Sequence, residues 1–253
     1  MSLACQYYGE REYWDQRYED DKKKRPHFDW YHGYKTLKPF LSKYFLKLDR
    51  ILMLGCGNSK LGEDMNDDEY KEIVNIDFSD VLIQDMKNRT VGREGLEYLT
   101  MDGRDMDFES DSFDSIFDKG TIDAVMCSDD DNSNAKRMIT EVSRVLKPGG
   151  FFVVMTYGSP ENRLPVLNVA NYNWTVYMRM LGTSPDAQSN QCHYIYIMRK
   201  NIANSDNSTA DQASLQQLKS IATNPFDPST EHFETYLYSS VGKIALEVTP
   251  VVK

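Results

Sequence analysis

The chain has 253 residues, 40% hydrophobic and 27% charged, enough for one full globular domain with an appendage. Its net charge of −10 argues against a nucleic-acid partner, because phosphate binding needs a basic face; it is compatible with a basic protein partner. The four cysteines include no Cys-x-x-Cys pair, no run approaches the ~20 apolar residues of a membrane span, and the first residues lack a signal-peptide core; these features predict free thiols, no metal site, no membrane and a cytosolic location.

Residues 1–48 are rich in aromatics and charge. Tyr13-Trp-Asp-Gln-Arg-Tyr18 and Phe28-Asp-Trp-Tyr31 bracket a Lys/Asp run that reads as a solvated loop. Apolar spacing at Leu37, Phe40, Leu41, Tyr44 and Phe45 predicts a helix from Tyr34 to Leu48. Strands and helices then alternate. Strands are expected at Ile51–Leu54, Ile73–Asp77, near Leu96–Met101, at Phe113–Asp118 and at Phe151–Thr156. Helices are expected at Val81–Arg89, with Ser79 as its N-cap, and at Ala135–Leu146, stopped by Lys147-Pro-Gly-Gly150. The last of these strands is almost wholly apolar, as a central strand must be. This alternation predicts a doubly wound, mainly parallel sheet with helices on both faces.

Gly158–Pro165 reads as a loop. Thr175–Leu181 and His193–Arg199 read as a closing antiparallel hairpin around a turn-forming stretch, which brings the sheet to seven strands. Asn201–Ser214 has the composition of a flexible linker, and residues 215–253 hold a short helix candidate, a proline turn and two short strand candidates. The organisation expected is an N-terminal cap (1–48), a ligand-binding domain (49–200) and an appendage (201–253).

The most informative run is Ile51-Leu-Met-Leu-Gly-Cys-Gly-Asn-Ser59, followed twenty residues after Gly57 by Val74-Asn-Ile-Asp77. A strand ending in a glycine turn beside a strand ending in an acid places a nucleotide-like ligand over the strand ends. Gly55 and Gly57 allow close backbone approach, and Asp77 can accept both hydroxyls of a ribose. The third glycine of a pyrophosphate fingerprint is missing, so a ligand with ribose and adenine but no phosphate, such as S-adenosylmethionine, fits better than NAD. The alternative is a tight strand–helix turn without a ligand.

Three further features converge on the same edge. Asp102, with Gly103, follows the third strand, where a carboxylate can accept an adenine amine; a turn cap is the alternative. Asp118, Lys119 and Thr121 follow the fourth strand over the cleft centre, with an exposed ion pair as the alternative. Trp14, Tyr18, Trp30 and Tyr31 can stack on adenine or attract a sulfonium, or simply staple the N-terminal segment to the sheet. The acidic stretches Asp105–Asp114 and Asp129–Asp131 rim that edge, as solvated loops or as a docking surface for a basic protein. The chain holds no Gly-x-Ser-x-Gly elbow and no P-loop, and its four histidines lack metal-ligand spacing.

The Tyr-Trp-Asp-Gln-Arg-Tyr string, the Phe-Asp-Lys-Gly-Thr-Ile-Asp-Ala string from Phe117 to Ala124, the glycine turn and Glu141-Val-Ser-Arg-Val-Leu-Lys-Pro-Gly-Gly150 together resemble class I S-adenosylmethionine-dependent methyltransferases. Within that class the chain resembles the methyltransferase-like group that modifies lysines of translation elongation factor 1A. The resemblance spans most of residues 10–200 and implies a Rossmann-like fold. It implies that Trp14, Tyr18 and Trp30 line the cofactor site, that Gly55 meets the methionyl part, and that Asp77 and Phe78 meet the ribose and adenine edge. Asp102 and Gly103 would meet adenine, and Lys119 would face the reactive end. Asp118 and Asp123 are candidates for orienting an acceptor amine. The implied cofactor is S-adenosyl-L-methionine, the product S-adenosyl-L-homocysteine, and the implied partner elongation factor 1A. A methyltransferase for a small molecule or another protein, or a non-catalytic binding module, would share the cofactor residues.

Overall fold

The computed structural model describes residues 7–181, 193–202, 235–238 and 244–247. Its elements in chain order are α1 (Arg11–Lys24), α2 (Tyr34–Leu41), β1 (Arg50–Leu54), α3 (Leu61–Asp67), β2 (Glu72–Asp77), α4 (Asp80–Arg89), β3 (Leu96–Thr100) and β4 (Phe113–Lys119). There follow α5 (Thr121–Val125), α6 (Ser133–Val145), β5 (Leu146–Thr156), α7 (Pro160–Leu167), β6 (Trp174–Leu181), β7 (His193–Lys200), β8 (Thr235–Tyr238) and β9 (Ile244–Glu247).

The sheet runs β3-β2-β1-β4-β5-β7-β6-β8-β9. The first five neighbours are parallel, and β7 and β6 close the expected hairpin antiparallel to β5. These are the seven strands of the Rossmann-like methyltransferase fold. The two C-terminal strand candidates extend its edge, with β8 pairing antiparallel to β6.

Alternation along the strands divides the core. Leu52, Leu54, Val74 and Ile76 pack with Met138, Ile139 and Val142 of α6 on one face. Ile51, Met53 and Ile73 pack with Leu37, Phe40 and Leu41 of α2 on the other. α6 places its buried residues at Ala135, Met138, Ile139, Val142 and Val145, the spacing of one helical stripe. Each fully buried aliphatic side chain of this kind contributes about 1.5–3 kcal/mol relative to exposure.

Four expectations need correction. The Lys/Asp run is helical and belongs to α1: its few buried residues are Trp14, Tyr18 and Asp21, and the helix is supported by the Arg17–Asp21 and Glu19–Lys22 ion pairs rather than by an apolar stripe. α2 stops at Leu41, because Lys43 and Tyr44 donate to Phe40 and Leu41 in a tighter turn; Tyr44 and Phe45 still reach the core. The segment after β5 forms α7, with Pro160 in the first turn, where its missing N–H costs nothing. Cys127 is disulfide-bonded, whereas Cys56 is a free thiol; spacing along the chain does not reveal such a difference. The turn-forming stretch before His193, the linker and the short helix candidate lie outside the described residues.

No helix among the described residues is long and apolar enough to cross a membrane.

Candidate active site

Register aligns the strand ends that build the site. Leu54 sits opposite Ile76 on one side and Asp118 on the other, so Gly55, Asp77 and Lys119 emerge at one edge. The chain order reverses between β1 and β4, the switch point at which an open α/β sheet forms its crevice. A cleft there encloses about 1130 Å³, including space open to solvent. Trp14, Tyr18, Trp30, Gly55, Gly57, Asp77, Phe78, Asp102, Gly103 and Lys119 all line it.

The glycine turn is backbone-driven. Gly55 and Gly57 have φ of 60° and 54°, and a Cβ on Gly55 would come within 2.2 Å of the Thr121 hydroxyl. Thr121 Oγ1 in turn donates to the Leu54 carbonyl at 2.9 Å, fastening the turn to α5. Gly57 N–H donates to Asp77 Oδ2 and Ser79 N–H to Asp77 Oδ1, both at 3.1 Å. Burial nonetheless pushes the Asp77 carboxyl up to about 6. Each of its oxygens keeps a further acceptor site. Ser79 caps α4 as expected, accepting from Leu82 N–H at 3.2 Å.

Asp102 receives Arg104, whose Nη2 lies 2.7 Å from Oδ2 and whose backbone N–H lies 2.9 Å from Oδ1. Burial alone would raise the Asp102 carboxyl, but Arg104 holds it below the usual range. Lys119 Nζ donates to Asp29 Oδ1 and to the Trp30 carbonyl, each at 3.0 Å. Burial lowers the Lys119 amine against the pull of Asp29. Its ammonium therefore fastens residues 29–30 to the end of β4 while its side chain lines the cleft.

The two other acids lie outside the cleft lining. Asp118 is fully buried and accepts the Thr121 and Ile122 N–H groups at 2.9 and 3.1 Å, which makes it a cap for α5; burial pushes its carboxyl up. Asp123 accepts the Tyr31 hydroxyl at 2.8 Å and also holds the Thr156 hydroxyl and the Arg163 guanidinium.

Two cations in the lining, Arg104 and Arg17, escaped the reading of the residues. Arg17 lies over Trp14, Phe28 and Trp30, with its Cζ 5.2, 5.5 and 4.9 Å from their ring centroids. It was legible as the one cation between Trp14 and Tyr18 in the aromatic string, about a helical turn after Trp14 and next to Tyr18. His32 and His193, distant in the chain, also meet, with ring nitrogens 3.2 Å apart.

A cradle shaped by absent Cβ atoms, a buried carboxylate with spare acceptor capacity and a wall of aromatic rings fit S-adenosylmethionine.

Residues 52–154 match the family described as methyltransferase domain. EEF1A lysine methyltransferase 4 of Mus musculus is 34% identical over 177 residues, covering 67% of this chain and 69% of that protein. Its Bos taurus counterpart is 32% identical over 201 residues, covering 76% of each. The eEF1A lysine and N-terminal methyltransferase of Homo sapiens is 34% identical over 74% of this chain, which spans only 27% of that longer protein. Among solved structures, the N-methyltransferase NodS of Bradyrhizobium japonicum, crystallised with S-adenosyl-L-homocysteine, has a TM-score of 0.56 at 14% identity, covering 75% of this chain and 97% of that one. A methyltransferase of Methanosarcina mazei has a TM-score of 0.53 at 18% identity, covering 69% of this chain and all of that one. These two likenesses concern the fold alone. With the cleft geometry and the relatives agreeing, this chain belongs to the S-adenosylmethionine-dependent methyltransferases, in the family that includes EEF1A lysine methyltransferase 4.

Proposed function

We propose that this protein is a lysine N-methyltransferase whose substrate is translation elongation factor 1A. The observation that carries the reading is the Asp77 carboxylate at the end of β2, bridged to the glycine turn through Gly57 N–H, in a chain a third identical to enzymes named for that activity. Bound in the cleft, S-adenosylmethionine supplies an electrophilic methyl group on a sulfonium. Asp77 would accept the ribose hydroxyls, Asp102 and Gly103 would face adenine, and the ring cluster would exclude water. Arg17 would pair with the methionyl carboxylate, a role that its aromatic sandwich supports by limiting hydration of the guanidinium.

The transfer asks little acid–base chemistry of the protein beyond admitting a neutral amine. A free lysine near pKa 10.4 is mostly charged at neutral pH, and a desolvated site favours its uncharged form. Alignment of amine, methyl and sulfur is then the main contribution. The acidic stretches Asp105–Asp114 and Asp129–Asp131 supply a charge complement to a basic protein surface.

Incubation with methyl-tritiated S-adenosylmethionine and a cytosolic extract tests this, with Asp77→Ala as the control. A labelled band at elongation factor 1A, absent with the variant, is the expected result. Label confined to the low-molecular-weight fraction would make the enzyme a small-molecule methyltransferase. No label from a protein that binds the cofactor would make it a binding module.

A further inference from the structure

Beside the cofactor cleft lies a second wall that the cofactor assignments do not use. Tyr31 has φ of 63°, a left-handed conformation rare for a bulky residue. The turn sends neighbouring rings apart: the Trp30 side chain lines the cleft, while the Tyr31 ring, its centroid 6.5 Å away, lies against Gly120. A Cβ on Gly120 would come within 3.3 Å of Tyr31 Cε2, so the ring occupies the space a side chain there would need.

Four distant elements hold that ring in place. The Tyr31 hydroxyl donates to Asp123 Oδ2 at 2.8 Å, and Arg163 and Thr156 take the other carboxylate oxygen. Arg163 Nε also donates to Thr156 Oγ1 at 3.0 Å. Asp123, Thr156 and Arg163 are all buried, so the carboxylate is neutralised by a partner as confined as itself. The His193 ring lies beside it, tilted by 45° with ring centroids 4.5 Å apart. Tyr157, 55% exposed, follows Thr156, with the Arg163 Cζ 5.4 Å from its ring centroid. A phenol whose hydroxyl donates to a carboxylate has an electron-rich face, and such a face attracts an alkylammonium.

We propose that Tyr31, with His193 and Tyr157, forms the wall on which the acceptor's alkylammonium side chain first binds, before it releases its proton to solvent and enters the transfer as the neutral amine, and that Tyr31 is a positioning residue for the amine. This rests on the methyltransferase reading above and deepens it by naming the acceptor side of the site. Only Gly120 and Thr121 separate the Tyr31 ring from the Gly55 turn, so an amine on this wall stands beside the reactive end of the cleft.

The test titrates n-butylammonium into the full chain saturated with S-adenosylhomocysteine, followed by NMR, for the unmodified protein, Tyr31→Phe and Tyr31→Leu. Tyr31→Phe keeps the π face and should bind within about twofold of the unmodified protein, whereas Tyr31→Leu should bind at least about fivefold more weakly, the range of a cation–π contact. Cofactor affinity, measured by calorimetry, should stay within about twofold in all three, which also reports folding. Equal amine binding by Tyr31→Leu, no amine binding by the unmodified protein, or a parallel loss of cofactor affinity overturns the proposal. If Tyr31→Leu does not fold, Tyr157→Ala at its exposed position decides: weaker amine binding supports the wall and unchanged binding overturns it. With elongation factor 1A as substrate, Tyr31→Leu should raise KM more than it lowers kcat. Failure of the unmodified protein to methylate any protein defeats the function proposed above, while the amine titration still judges the wall.

Discussion

The two halves of the site are built differently. The cofactor half is local: Gly55, Gly57, Asp77 and Ser79 lie within 25 residues, and their bonds run between adjacent parallel strand ends. The half around Tyr31 is assembled from residues 31, 123, 156, 163 and 193, tied by a buried ion pair. The first half stands on backbone geometry, with Gly residues at positive φ. The second stands on side-chain charges taken out of water, which makes it the more costly to disturb.

The largest expected effect therefore lies in the second half. Arg163→Ala leaves Asp123 buried without its cation and should destabilise the fold by about 3–5 kcal/mol, read from a urea unfolding midpoint. A loss below about 1 kcal/mol would show that the two halves do not differ in this way.

Asp77→Ala should cost about 1.5–3 kcal/mol of cofactor affinity by calorimetry, the range for hydrogen bonds to a charged group. Unchanged affinity would remove the ribose assignment and leave Gly57 N–H as a purely structural contact.

The raised Asp77 carboxyl sharpens the contrast through pH. Its folded-state value of about 6 lies above the ordinary 3.8 of a free aspartate, so the folded state holds a proton that the unfolded chain has released over that window. The stability it contributes is present below about 4 and lost as the pH rises through about 6. Ribose binding has the opposite sign, since only the ionised carboxylate accepts both hydroxyls. Cofactor affinity should fall by up to about tenfold per pH unit below 6, and Asp77→Asn should flatten that profile. A profile unchanged in the variant would assign the titration to another group.

The smallest effect is expected from Arg17, whose pairing with the methionyl carboxylate should be worth about 0.2–1 kcal/mol of cofactor binding, its guanidinium being held in place by the three rings. Arg17→Lys should retain part of it, and Arg17→Ala none, in the same calorimetric measurement.

Several elements were legible because one period or one motif specifies them. The apolar runs of β1, β2 and β5, the Ser79 cap and the glycine turn each depend on neighbours within a few residues. α1 was not, because its support is charge pairing along an exposed helix rather than an apolar stripe. Asp118 and Asp123 were identified as acids at the right strand end, yet spacing could not tell that one caps α5 and the other balances Arg163. Lys119 was placed in the cleft, but its pairing with Asp29, ninety residues away, was beyond any local pattern.

By itself the sequence determined a doubly wound, mainly parallel sheet with a glycine turn and an acidic strand end at one edge, because backbone freedom at glycine and strand periodicity act over short distances. Only the tertiary structure decided which polar groups are buried and which partner each has. That choice depends on desolvation, and desolvation is a property of residues brought together from the whole chain.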